Sequence, residues 1–211
     1  MTHKTAGLLL AGGLARRMGG GDKGMKLLAG QSILQHIIGR VKDQVEVLAL
    51  NANGDPSRFT DYGLMVLPDV IQGQPGPLAG VLTGLEWAQQ SLPDCDYVAT
   101  FPTDAPFLPT DLVDRLYAAM KKDGADMACA RSNGRDHPVV GLWPVRLAGD
   151  LRQAMIDDDI RKVDRWTARH KLTVVDFPSD SIDPFFNANH PDDLAEAEAL
   201  LQQIPNKRTR L

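Results

Sequence analysis

Short apolar runs, bounded by glycine, proline and aspartate, alternate over the first half of this chain with longer segments whose apolar residues recur at helical spacing. A short, wholly apolar run suits a strand covered on both faces, and an intervening helix returns the chain to lay the next strand parallel. The strands expected on this basis are residues 5–10, 45–50, 64–67 and 97–101. The helices expected between them are 32–41, with Ser32 as its cap, 78–90, and 110–122, stopped by Gly124. Further on, strands are expected at 127–130, 139–143 and 172–177, and helices at 148–156, 162–170 and 191–203. The pattern predicts an α/β fold: one Rossmann-like, three-layer α/β/α domain over residues 1–204 around a mainly parallel mixed sheet, with a flexible tail at 205–211. Such sheets bind ligands outside the carboxyl ends of their strands. The notable polar residues, Asn51, Asp69 and Asp104, all fall just past expected strand ends.

With 211 residues the chain can bury a full core. No apolar run approaches the roughly 20 residues of a membrane helix, and the N-terminal apolar stretch is too short for a secretion signal. Cys95 and Cys129 cannot form a disulfide framework and lack metal-site spacing, so they are expected to be reduced thiols of a cytoplasmic protein. The net charge of −4 gives no general attraction for nucleic acid or anionic membrane. Its distribution is uneven. Between Ala11 and Lys26 stand Arg16, Arg17, Lys23 and Lys26 against Asp22, a local +3, which leaves −7 on the rest. A compact basic loop on an acidic chain suits a small anionic ligand bound at one place.

That loop, LAGGLARRMGGGDKGMK from Leu10 to Lys26, follows the first expected strand directly. Glycines let backbone N–H groups approach phosphate oxygens, and Arg17 and Lys23 add charge of matching sign. A flexible surface loop is the bland alternative, and the density of basic residues argues against it. A P-loop is excluded, because no Ser or Thr follows Lys23. The formal overlap of Gly19–Gly24 with a dinucleotide fingerprint lies too far beyond the strand, which disfavours a nicotinamide-dependent oxidoreductase. A second motif, FPTDAPFL, delivers Asp104 at a strand end, where one aspartate commonly binds magnesium alongside substrate phosphates. Alternatively, Asp104 serves as a turn or cap residue. A third, FNANHPDDL, offers Asn187 or Asn189 as an amide ligand, or as a cap for the last helix.

Taken in order, LAGG with RRMGG-DK, PGPLAG at 75–80, Asp104-x-Pro106 and Asn187-x-Asn189 resemble the molybdenum cofactor guanylyltransferase family over nearly the whole chain. The resemblance implies that Leu10, Ala11 and Gly12 contact GTP through backbone atoms, that Lys23 binds phosphate, and that Asn51 and Asp69 contact base or ribose. It implies Mg2+ on Asp104, with Asn189 as a second metal ligand, and catalytic roles for Arg17, Lys23 and Asp104. The acceptor would be molybdopterin, bound by the second half through Arg135, His137, Arg161 and Asn187. Proteins of cofactor biosynthesis or molybdoenzyme maturation are expected partners; nucleic acid and membrane are not. Two residues depart from the pattern: Thr103 where relatives often have cysteine, and His190 where threonine usually caps the last helix. Arg161 and its neighbours Lys162 and Arg165 also read as a solvated helix face, and His137 as a turn histidine.

A phosphate acceptor has a second pKa of about 6, so it is largely dianionic at neutral pH and needs no general base. In-line attack on the α-phosphorus of GTP would then require positioning and charge neutralisation. Molybdopterin cytidylyltransferase, sugar-phosphate nucleotidyltransferase and non-catalytic nucleotide sensor stay open as rival readings. A sensor would not need Asp104.

Overall fold

The computed structural model describes residues 4–11, 23–73, 76–179, 182–188 and 190–203. Gly12, Arg16, Arg17, Pro75, Asn189 and the tail at 205–211 lie outside the described residues, as does the side chain of Lys23.

Seven strands form one sheet in the order β5-β4-β1-β6-β8-β7-β9. They are β1 (Thr5–Leu10), β4 (Val47–Asn51), β5 (Met65–Leu67), β6 (Tyr97–Pro102), β7 (Met127–Ser132), β8 (Arg135–Pro144) and β9 (Leu172–Asp176). The pairs β1·β4, β1·β6, β4·β5 and β7·β9 are parallel, whereas β8 runs antiparallel to both β6 and β7. One reversed strand therefore interrupts an otherwise parallel sheet. A small hairpin, β2 (Leu27–Leu28) with β3 (Gln31–Ser32), precedes the first helix.

Period-2 alternation along the strands divides the core in two. Leu9, Leu50, Ala99 and Phe101 face α1 (Ile33–Val41), α3 (Leu112–Asp123) and α6 (Pro191–Gln203). Ala6, Leu8, Ala49 and Val98 face α2 (Pro77–Ser91), α4 (Ala148–Ile156) and α5 (Val163–Thr167). The result is the expected three-layer α/β/α arrangement. Among the described residues no helix is long and apolar enough to cross a membrane.

Local signals fix most boundaries. Ser32 accepts from the Gln35 N–H at 3.1 Å while the Gln35 side chain accepts from the Ser32 N–H at 2.9 Å, a complete capping box for α1. Gly124 ends α3 at φ 58°, in the left-handed region. Other boundaries differ from expectation. β7 and β8 extend until only Asn133 and Gly134 separate them. Both have positive φ, 49° and 72°, and an Asn-Gly pair closes a two-residue hairpin whose twist matches its strands. Arg135 is therefore the first residue of β8 and not part of a longer polar turn. α5 is also shorter than expected. Lys162 is its extended N-cap, and after Thr167 the chain tightens, with Arg169 N–H bonding to Trp166 and His170 N–H to Thr167. Arg161 thus precedes the helix instead of opening it.

The reversed strand is pinned to β6 by a buried pair. The Thr100 hydroxyl donates to the Val139 carbonyl at 2.8 Å and accepts from Trp143 Nε1–H at 2.7 Å. Thr100 and Trp143 are almost fully buried, so neither donor has water as a substitute. Thr100→Val keeps the shape but strands both partners. It should cost about 1–3 kcal/mol in urea unfolding, seen as a lower midpoint at unchanged slope.

Candidate functional site

A cavity of about 470 Å³ opens at the carboxyl ends of β1, β4 and β6. Its walls come from three places. Leu10, Asn51, Asn53 and Asp69 form one side with Gly76 and Pro77 at the start of α2; Pro102, Thr103 and Asp104 form the floor; and His137, Val139, Phe185 and Asn187 close the far side. Of the residues singled out from the sequence, the structure brings Leu10, Asn51, Asp69, Asp104, His137 and Asn187 together here.

The first wall is built around a carboxylate. Asn51, at the end of β4, donates to Asp69 Oδ1 at 2.9 Å and to the Leu67 carbonyl at 3.1 Å. Asn53 donates to Asp69 Oδ2 at 2.7 Å and accepts from the Asp69 N–H at 2.9 Å. Each carboxylate oxygen thus receives one amide proton and keeps acceptor capacity. Asn53 was missed in the sequence. The available signal was its i+2 spacing from Asn51 on an extended chain, which points both amides to one side. Ala11 N–H is used by the Asn51 carbonyl at 2.9 Å, continuing the β1·β4 ladder one residue past the strands.

Buried Asn51 needs room above it. A Cβ at Gly80 would lie 2.5 Å from Asn51 Oδ1 and 2.6 Å from Leu10 Cδ2. One helical turn on, a Cβ at Gly84 would meet Leu8 Cδ2 at 2.8 Å. The two glycines let α2 sit directly on the sheet, with its N-terminus at the cavity.

The floor is tied to its surroundings through backbone. Thr103 Oγ1 donates to the Leu10 carbonyl at 3.2 Å, so this departure from the family pattern braces the exit of β1. Ala188 N–H donates to the Asp104 carbonyl at 2.9 Å, which sets Asn187 beside Asp104. A Cβ at Gly24 would come within 3.2 Å of the Thr103 carbonyl, so the short helical turn Lys23–Met25 packs against the same loop. His190 N–H donates to Asp193 Oδ2 at 2.7 Å, so an aspartate side chain satisfies a donor at the start of α6, at the position where threonine usually stands in the family pattern. Among the described residues no three His, Cys, Asp or Glu side chains gather as a metal set.

Two expected acceptor residues stand apart from the cavity. Arg135 is exposed on the β7–β8 hairpin. Arg161 pairs with Asp159 and lines a separate surface cleft with Lys162, Arg165 and Arg169, although its carbonyl lies 3.6 Å from a Cβ at Gly76, on the cavity rim. Burial pushes the Cys129 thiol up to about 11, consistent with a structural role.

A family model, the MobA-like NTP transferase domain, matches residues 7–173. The chain belongs to this family. A molybdenum cofactor guanylyltransferase of Rhodopseudomonas palustris (strain BisB5) is 55% identical over 196 residues, 93% of each chain. The fold is shared with a molybdopterin-guanine dinucleotide biosynthesis protein A from Archaeoglobus fulgidus, at TM-score 0.71 and 21% identity over 94% of this chain and all of the other. It is also shared with a manganese complex of Rv0371c from Mycobacterium tuberculosis H37Rv, at TM-score 0.66 and 14% identity over 94% of this chain and all of the other. As a MobA-like transferase, the chain carries its cavity at the strand ends where open α/β sheets place ligands.

The close approach of α2 gives a direct check. Gly80→Ala should push Asn51 off Asp69, lowering stability by about 1–3 kcal/mol and weakening nucleotide binding about tenfold or more by calorimetry. Unchanged affinity would separate the Asn51–Asp69 pair from nucleotide binding.

Proposed function

We propose that the protein transfers GMP from GTP to the terminal phosphate of molybdopterin, forming molybdopterin guanine dinucleotide and releasing pyrophosphate. The observation that carries this is the shared cavity. A clamped carboxylate at one end and Asp104 at the floor line the same space, in a chain closely similar to a named guanylyltransferase.

The clamp supplies a reason for guanine. A carboxylate only accepts hydrogen bonds, and guanine presents two adjacent donors, N1–H and the N2 amino group, on one edge. Adenine and cytosine place a ring acceptor beside their amino donor, which sets lone pair against lone pair. Asp69 favours the first pattern over the others. This distinguishes the reading from a cytidylyltransferase, and a role for Asp104 distinguishes it from a nucleotide sensor.

The oxygen-only donor set around the floor, Asp104 carboxylate with the Asn187 amide beside it, fits a hard divalent cation. Asp104 would hold Mg2+, with Asn189 as a second ligand; the manganese complex of a structural neighbour supports a divalent metal. The cation would supply charge neutralisation for the triphosphate. Leu10, Ala11 and Gly12 would line the nucleotide with backbone atoms, while Lys23 and Arg17 stabilise charge as it develops on the leaving pyrophosphate. The acceptor oxygen forms its bond to the α-phosphorus as the bond to pyrophosphate breaks. His137 and Asn187 would meet the acceptor inside the cavity, and Arg135 and Arg161 would offer positive charge outside it. We also infer one domain over 1–204, a cytoplasmic location and contact with proteins of cofactor biosynthesis or molybdoenzyme maturation.

Purified protein incubated with Mg2+, molybdopterin and each of four radiolabelled NTPs should yield labelled product from GTP alone. Equal transfer from CTP would overturn the base assignment. Lys23→Ala and Asp104→Asn should each lower the transfer rate about 10²-fold or more at unchanged thermal stability. Wild-type rates in either variant would remove that residue from the mechanism.

A further inference from the structure

His137 belongs to a hydrogen-bonded chain that the proposed reaction does not use. Its Nε2 lies 2.8 Å from Ser132 Oγ, and Ser132 Oγ donates to Asp183 Oδ1 at 2.7 Å. Asp183 Oδ1 also accepts from the Phe185 N–H at 2.9 Å, and its Oδ2 from Asn133 Nδ2 at 3.2 Å. The Asn133 amide is oriented in turn by Ser179, whose hydroxyl donates to Asn133 Oδ1. Asp183 thus accepts from three donors, the Ser132 hydroxyl, the Phe185 N–H and the Asn133 amide.

That count fixes the protons along the chain. Ser132 has one hydroxyl proton, and it is committed to Asp183. Its oxygen then meets Nε2 only as an acceptor, so Nε2 must carry the ring proton. A neutral imidazole has a single N–H, and Nδ1 is left with a lone pair. No described residue donates to Nδ1. The ring is held in place as well. It packs tilted against Phe185, at 4.6 Å between centroids and 40° between planes, and Phe185 meets Phe177 edge-on at 5.4 Å. The Arg115 guanidinium covers the Phe177 ring at 3.9 Å. Ser132 is almost fully buried, so water does not compete for its hydroxyl.

An oriented lone pair on a cavity wall selects by chemistry. It repels ionised phosphate oxygens, which carry no proton, and attracts an N–H. We propose that Ser132 and Asp183 are positioning residues that hold His137 in its Nε2–H tautomer, so that Nδ1 accepts a hydrogen bond from an N–H of an uncharged heterocycle, the pterin end of the acceptor and not its phosphate. This rests on the acceptor proposed above. Burial also pushes His137 below the ordinary histidine range, with Asp183 and Asp136 pulling the other way and Arg135 adding to the depression. The phosphate end of the acceptor then lies toward Asp104, where the transfer takes place.

The test reads tautomer and binding separately. Long-range 1H–15N spectra of labelled protein, with the His137 signals assigned by their loss in His137→Gln, should show Nε2–H in the wild type. Adding plain pterin should shift the Nδ1 resonance, and adding inorganic phosphate should not. Asp183→Ala, which breaks the chain at its half-exposed end and leaves buried Ser132 in place, frees the serine proton for Nε2 and should populate the Nδ1–H tautomer. The same variant should raise the KM for molybdopterin about tenfold while the KM for GTP changes less than twofold, and Ser132→Ala should do likewise. An Nδ1–H tautomer in the wild type, a shift caused by phosphate instead of pterin, or an unchanged molybdopterin KM in Asp183→Ala would each overturn the proposal. If the wild type transferred no GMP, the functional reading would fall while the spectra still decided the tautomer and its preference for pterin.

Discussion

The close approach of α2 to the carboxyl ends of β1 and β4 is the constraint on which the rest of the site depends. At Gly80 there is no space for a methyl group between the helix and the Asn51 side chain, and at Gly84 none between the helix and Leu8. Because the helix comes this close, Asn51 lies under it, nearly sealed from solvent, with its amide directed at Asp69 and the Leu67 carbonyl. An amide so placed has little freedom, and the carboxylate it holds inherits that order. Asn53 completes the clamp from the other oxygen. The chain thus sets the direction of an acceptor before any ligand arrives, and hydrogen bonds then cost little reorganisation on binding.

The second constraint is the reversal of β8. In a wholly parallel sheet the strand beside β6 would present its last residues at the ligand edge. Instead β8 runs antiparallel beside β6, so its early residues come back to the edge where β6 delivers Asp104. His137 and Val139 face the cavity for that reason. The segment after β9 joins them through the Ala188–Asp104 backbone bond, which seats Phe185 and Asn187. Two halves of the sequence therefore share one cavity.

Much of this was legible in the residues because the signals were local. The run Thr5–Leu10 ending on glycine, the Ser32 and Gln35 pair, and Gly124 after a helical stripe each act within one turn of chain, and each fell where expected. The alternation of strand and helix gave the three layers and the mainly parallel sheet. Asp69 and Asp104 stood out because they follow expected strand ends, where open α/β sheets place ligands. What escaped was nonlocal or needed a specific turn geometry. Asn133-Gly134 carries the signature of a tight hairpin, but the strands expected at 127–130 and 139–143 leave Arg135 in the connection between them and not in β8. The charge pattern around Arg161 suggested a helix, but Lys162 is extended and Asp159 takes the guanidinium. The Ser132–His137–Asp183 chain joins residues up to 51 positions apart and has no periodic trace in the sequence.

The proposed selection of guanine rests on the Asp69 carboxylate reading the donor edge of the base. Inosine triphosphate isolates it, since it matches GTP in every atom except the missing N2 amino group. Calorimetric titration of the protein with both nucleotides in the presence of Mg2+ should show GTP binding about tenfold more tightly, the worth of one hydrogen bond to a charged acceptor, with the difference collapsing in Asp69→Ala. Equal affinities for GTP and inosine triphosphate in the wild type would contradict it.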